Sequence, residues 1–184
     1  MNPIHVSFDL ETLSLRSDAV ILSIGAVAFL EKADNTLDFY RECKTASQMG
    51  LRHIDPNTLA WWEGQSEAAR RTLEHCKLPE CPRLGEALVA LRDWLNTLST
   101  QGELFVWGNG SSFDVAILEH AYRQWDMQVP WKFYNVRDMR TIKDLYERKF
   151  GPLVMSRTGT HHNALDDAAY QGKGIKLMME ALNA

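Results

Sequence analysis

Cysteine is scarce in this chain of 184 residues: Cys43, Cys76 and Cys81 are an odd number and cannot all pair within one molecule. That excludes a disulfide scaffold and leads us to expect a reducing, cytoplasmic setting. Proline (6) and glycine (11) form no linker or low-complexity tract, and no internal repeat is visible. No apolar run approaches the roughly 20 residues of a membrane helix. The longest, 20–30, is broken by Ser23 and Gly25. The first residues lack a basic segment followed by an apolar one, so no signal peptide is expected. A basic excess is missing too. Lys and Arg total 20 against 24 Asp and Glu, a net charge of −4, which argues against adhesion to nucleic acid through a broad basic surface. It leaves room for an enzyme whose surplus carboxylates gather at a metal site. What remains, 45% hydrophobic and 24% charged residues, is the balance of a soluble globule. One domain over 1–184 with its own core is the expectation.

Residues 4–9 alternate, with Ile4, Val6 and Phe8 on one side and His5, Ser7 and Asp9 on the other, the period of a strand. Two further strands are predicted near 20–30 and 37–44, joined by short connections as in an antiparallel meander. Asp55-Pro56 carries a helix start signal. Ser66 opens a second helical stretch to about His75, and a loop holds Cys76, Pro79, Cys81 and Pro82. Leu84, Ala87, Leu88, Leu91, Leu95 and Leu98 fall at helical spacing. Leu104-Phe105-Val106-Trp107 reads as a short strand ending in Gly108-Asn109-Gly110, with a helix from about Ser112. Helices over about 137–149 and from Asn163 to Leu182 complete a mixed sheet flanked by helices, an α/β fold.

The first strand ends in Asp9-Leu10-Glu11-Thr12. Residues two apart share a face, so both carboxylates point the same way, and like charges that close need a cation or a proton between them. Taken alone the pattern is weak, because Asp-x-Glu arises by chance roughly once in a chain with this many acids. A second acid, Asp114, follows the glycine-rich turn after Trp107, at the opening of a helix. There the helix dipole alone would explain an aspartate. A third element, His161-His162-Asn163-Ala164-Leu165-Asp166-Asp167, leads into the last helix. The looser His75-Cys76-x4-Cys81 set has no second Cys/His pair nearby, so a structural zinc is not expected.

Together Asp9-x-Glu11, Asp114 and His162-x-Ala164-Leu165-x-Asp167 resemble the DEDDh group of 3′–5′ exonucleases, whose three motifs appear here in order along essentially the whole chain. Only His162, not His161, is followed by Ala-Leu in register and by Asp167. Thr58-Leu59-Ala60-Trp61-Trp62-Glu63-Gly64-Gln65-Ser66 and Val136-Arg137-Asp138-Met139-Arg140-Thr141 are similar to a smaller branch of bacterial and phage exonuclease-VIII-like and exoribonuclease-like proteins. The resemblance implies a ribonuclease-H-like fold with a five-stranded mixed sheet. The fifth strand is expected near Lys132-Phe133-Tyr134. It also implies a two-metal hydrolysis of phosphodiesters at the 3′ end of single-stranded RNA or DNA, releasing nucleoside 5′-monophosphates. Mg²⁺, or Mn²⁺ in its place, suits the oxygen ligands.

In that frame Asp9 bridges the two ions, Glu11 and Asp167 serve the ion that activates water, and Asp114 serves the second. His162 is the general base, as an imidazole titrating near neutrality can be. By analogy, backbone groups of Thr12 and Leu13 contact the terminal sugar. Trp61 and Trp62 would offer stacking faces, although aromatics on helices usually pack inward. Gln65 would bond phosphate or base, and Arg137 and Arg140 would steer phosphates unless they are a solvated face. Asp138 and Asp166 are spare acids near the motifs and read as helix caps or as supports of the ligands rather than as ligands themselves. Relatives of this kind often form homodimers. An endonuclease resembling ribonuclease H is disfavoured by the His-x-Ala-Leu-x-Asp close, and a catalytically inactive binding module by the presence of all five residues.

Overall fold

The computed structural model describes residues 3–33, 35–157 and 159–183. Its strands are β1 (Ile4–Thr12), β2 (Ile21–Phe29), β3 (Thr36–Glu42), β4 (Leu104–Gly108) and β5 (Val136–Asp138). Its helices are α1 (Pro56–Glu63), α2 (Glu67–His75), α3 (Leu84–Ser99), α4 (Asp114–Gln124), α5 (Met139–Phe150) and α6 (Ala164–Asn183). The five strands form one mixed sheet in the order β3-β2-β1-β4-β5. β1, β2 and β3 are antiparallel neighbours, while β4 and β5 run parallel to β1.

The alternation of β1 decides which helices cover which face. Val6, Phe8 and Leu10 meet Leu88, Leu91 and Leu95 of α3 and Ile117, Leu118 and Tyr122 of α4. Each leucine that α3 buries contributes about 1.5–3 kcal/mol relative to an exposed one. On the other face Phe29 and Trp107 pack against Met139, Ile175 and Met178 of α5 and α6. A smaller cluster, including Leu13, Leu22, Trp62 and Leu73, seats α1 and α2 beyond the sheet. Asp55 caps α1, its side chain accepting from the Asn57 N–H, and Ser66 caps α2 through Ala69.

One glycine sets the position of α6. Gly25 pairs with Asp9 across β1 and β2, and a Cβ there would overlap the backbone carbonyl of Ala164. Only a residue without a side chain lets the first turn of α6 rest directly on the strand beside Asp9.

The expected fifth strand is displaced. Phe133–Asn135 form a 3₁₀ turn, and the pairing residues are Val136–Asp138, opposite Val106–Gly108. Phe133 and Tyr134 are 83% and 57% exposed, so their rings face solvent. Asn135 instead ties this turn to the sheet by donating to the Leu104 carbonyl. Accordingly α5 begins at Met139, with Asp138 as its cap rather than its second residue. All three cysteines are buried free thiols, and no described helix is long and apolar enough to cross a membrane.

Candidate active site

The C-terminal end of β1 carries Asp9 and Glu11 on the face that α6 covers, and the register slips between Glu11 and Thr12 as the strand leaves the sheet. β4 ends beside it in a turn whose Gly110 has φ +100°, a left-handed value that favours glycine. This turn delivers Asp114 to the start of α4, where its carboxylate accepts from the Leu10 N–H at 3.2 Å. That bond anchors the helix terminus to the strand between the two β1 acids. Asp167 lies in the first turn of α6, which Asn163 caps by accepting from the N–H groups of Leu165 and Asp166.

His162 precedes this turn at φ +62°, a backbone region that costs a non-glycine residue on the order of 1–2 kcal/mol. The turn is held by the His162 N–H, which donates to Asp167 Oδ2 at 3.1 Å. The imidazole stands edge-on to the Trp61 ring, with centroids 4.9 Å apart. Glu11, His162 and Asp167 each place a ligand atom within 4.8 Å of the others. The structure thus brings His162, and not the exposed His161, to the acids.

The electrostatics follow from burial. Glu11 is pushed up to about 8 by desolvation and then by the charge of Asp114. Asp114 is pushed up to about 7 by desolvation, although the Leu10 N–H and the Arg140 charge act the other way. Asp9 is also raised, by burial first, then by Asp114 and Glu11. Carboxylates gathered in this way ionise together only if positive charge joins them. Hard oxygen donors with too little counter-charge fit divalent cations. His162 is lowered below its ordinary value by burial, then by His161 and Arg157.

Other sequence-predicted positions divide. Trp61 is 45% exposed beside His162 and presents a face to solvent. Trp62 does not, a correction to the stacking pair: it is 1% exposed and its indole N–H donates to the Thr12 carbonyl. Thr12 further commits its hydroxyl to the Ser14 carbonyl. Leu13 donates its N–H to the Val20 carbonyl, and its own carbonyl accepts from the Asp55 N–H. Gln65 is half-buried and donates to the Trp61 carbonyl, fixing the end of α1. Arg137 donates to the carbonyls of Tyr134 and Val136 and lies 4.8 Å over Phe105. Arg140 is exposed and reaches Asn109 in the turn that carries Asp114. Asp138 and Asp166 cap and close loops, accepting from Thr141 and Ser111 and from Thr160 respectively.

Two residues escaped the sequence reading. Gln171, one helical turn beyond Asp167, donates to Asp9 Oδ1 at 2.6 Å, and its own Oε1 is buried without a hydrogen-bond partner. No spacing rule singles it out, because the bond it makes is to β1, 162 positions away. Arg157, in the segment between α5 and α6, pairs with Asp167 Oδ1, and no periodicity announces it.

Comparison with known proteins bears on this geometry. The sequence model of the 3′-5′ exoribonuclease Rv2179c-like domain matches residues 4–179. An exodeoxyribonuclease of Enterobacteria phage T4 is 27% identical over 161 residues, which cover 72% of this chain and 67% of that protein. Among solved structures, the nuclease domain of 3′hExo, a DEDDh family member crystallised with rAMP, matches with a TM-score of 0.62 at 12% identity. The match covers 98% of this chain and 93% of that one, and at such identity it is a likeness of fold.

Proposed function

Since the chain belongs to the 3′-5′ exoribonuclease Rv2179c-like domain family and is a nucleic-acid hydrolase of the DEDDh type, we propose that Asp9, Glu11, Asp114 and Asp167 hold its divalent cations and that His162 is its general base. The observation that carries this is the convergence of Glu11, His162 and Asp167 within 4.8 Å. Buried carboxyls of Glu11 and Asp114, raised to about 8 and about 7, complete it. All four carboxylates offer hard oxygen, which favours Mg²⁺, with Mn²⁺ as a substitute. Bound there, the cations would supply Lewis-acid stabilisation of the charge that develops on phosphorus and on the leaving oxygen.

The substrate in this reading is the 3′ end of a single strand, RNA first and DNA as comparator. Water attacks the terminal phosphorus, its oxygen forms the new P–O bond, and the P–O3′ bond to the penultimate nucleotide breaks. His162 takes the proton of that water. A lowered imidazole is unprotonated at neutral pH and ready to accept it. The left-handed turn and the bond to Asp167 fix where the ring stands. Trp61 offers its exposed face to the terminal base, and Arg140 attracts phosphate toward the turn that carries Asp114. The homodimer belongs to the same proposal, and sedimentation of the purified chain as a monomer would remove it.

The test is a gel time course on 5′-labelled single strands of RNA and matching DNA with Mg²⁺, run beside His162→Asn. Stepwise shortening from the 3′ end by the wild type, with little by the variant, is expected. Intact strands of both kinds would overturn the reading.

A further inference from the structure

The four acids are accompanied by a basic residue that the roles above leave without a task. Arg157 pairs with Oδ1 of Asp167, while Oδ2 of the same carboxylate takes the His162 N–H. Its guanidinium lies 5.1 Å over the Tyr170 ring, and its side chain is 26% exposed. The arginine charge also reaches Asp9 and His162. It therefore acts on residues from β1, from the turn before α6 and from α6 itself. A cation held by Asp167 through Oδ1 needs the oxygen that Arg157 occupies. Four ionised carboxylates are neutralised by two divalent cations, and a guanidinium displaced from such a set is released to pair with another anion. A phosphate of the bound strand is such an anion, and the planar fork of arginine matches it bidentately.

We propose that Arg157 is an exchangeable cation of this site, which competes with divalent metal for Asp167 and, once displaced, binds a phosphate of the substrate strand. The inference rests on the metal-site reading above.

Calorimetry with Mg²⁺ alone on the full chain tests the first half. Arg157→Gln removes the competitor and binds Mg²⁺ about two- to fivefold tighter, the range of a solvent-accessible ion pair. Arg157→Lys keeps a competing charge but loses the fork. Its Mg²⁺ affinity stays within about twofold of wild type, and should the glutamine variant fail to fold, Arg157→Met takes its place in the Mg²⁺ titration with the same expected gain. The second half is read at saturating Mg²⁺ on labelled single strands. KM rises about tenfold in both variants, with a smaller change in kcat. Unchanged or weaker Mg²⁺ binding by Arg157→Gln overturns the competition, and an unchanged KM overturns the phosphate role. If the wild type itself leaves strands intact with Mg²⁺, the metal-site reading has failed. If the wild type cleaves and the variants match it, only the role of Arg157 has failed.

Discussion

Raising the pH from 5 to 8 in the presence of a chelator should lower the melting temperature of this protein steeply, and Mg²⁺ should abolish most of that slope. Glu11 is held up to about 8 and Asp114 up to about 7, where the unfolded chain would show ordinary carboxyl values near ~4. Groups raised on folding favour the protonated fold. Their contribution is complete below about pH 4 and is lost as the pH climbs through the folded values, so the window is roughly pH 4–8. For Glu11 alone the shift corresponds to about 4–5 kcal/mol, a large part of the ~5–15 kcal/mol that stabilises a domain. At about 2–4 °C per kcal/mol for a chain of this length, a fall on the order of 10 °C is expected. Cations that join the carboxylates replace the missing protons and flatten the curve. Glu11→Gln supplies the control, because it removes a buried like charge. At pH 8 with chelator it should melt above the wild type while being inactive. Scanning calorimetry or thermal fluorescence reads all of this. A flat wild-type profile in chelator, or a Glu11→Gln protein that melts lower at pH 8, would refute the reasoning.

Gly25→Ala pushes the Ala164 backbone, and with it Asp167 and Gln171, away from Asp9; Mg²⁺ affinity by calorimetry and kcat should both fall, the latter about 100-fold or more. His162→Asn tolerates the left-handed turn, so melting stays within about 2 °C of wild type while kcat drops about 10²–10⁴-fold. In the wild type the acidic limb of kcat/KM should lie below pH 6.5, because burial and the neighbouring cations lower that imidazole. Trp62→Ala should cost about 3–5 kcal/mol of stability in urea titrations. Trp61→Ala should leave stability alone and raise KM about tenfold or more, the worth of one stacked base.

Most of the elements are legible because each rests on a local period or cap. The leucines of α3 recur at helical spacing, and Asp55-Pro56 and Ser66 open α1 and α2 where the caps place them. The acids of the site are legible for a related reason: each ends or begins a regular element, where alternation or a turn fixes its direction. Where the signal is shorter than the element, the reading slips. β5 has three residues, too few for alternation to show, and the aromatic pair beside it looks like the strand but faces solvent. α1 has eight residues, and its neighbours Trp61 and Trp62 lie roughly 100° apart around the helix axis. Which ring is buried is decided by the Thr12 carbonyl, 50 positions away, that receives the Trp62 indole.

The residues that hold the motifs together carry no local signature at all. Gln171 acts on Asp9 across 162 positions, and Gly25 matters only because the α6 backbone lands on it. Arg157 lies in an irregular segment, so its reach to Asp167 depends on the path that segment takes. Such residues are selected by what the tertiary structure brings near them, which no spacing rule encodes. The consequence is a difference in how substitutions fail. A changed motif acid removes one ligand and leaves the remaining geometry to be measured. Gly25→Ala leaves every ligand in the sequence and moves apart β1 and α6, two of the three elements that carry them. If the assembled geometry, rather than the inventory of acids, makes the site, Gly25→Ala must weaken Mg²⁺ binding although all four carboxylates remain. Wild-type affinity in that variant would show that the close contact of α6 with β2 serves packing alone.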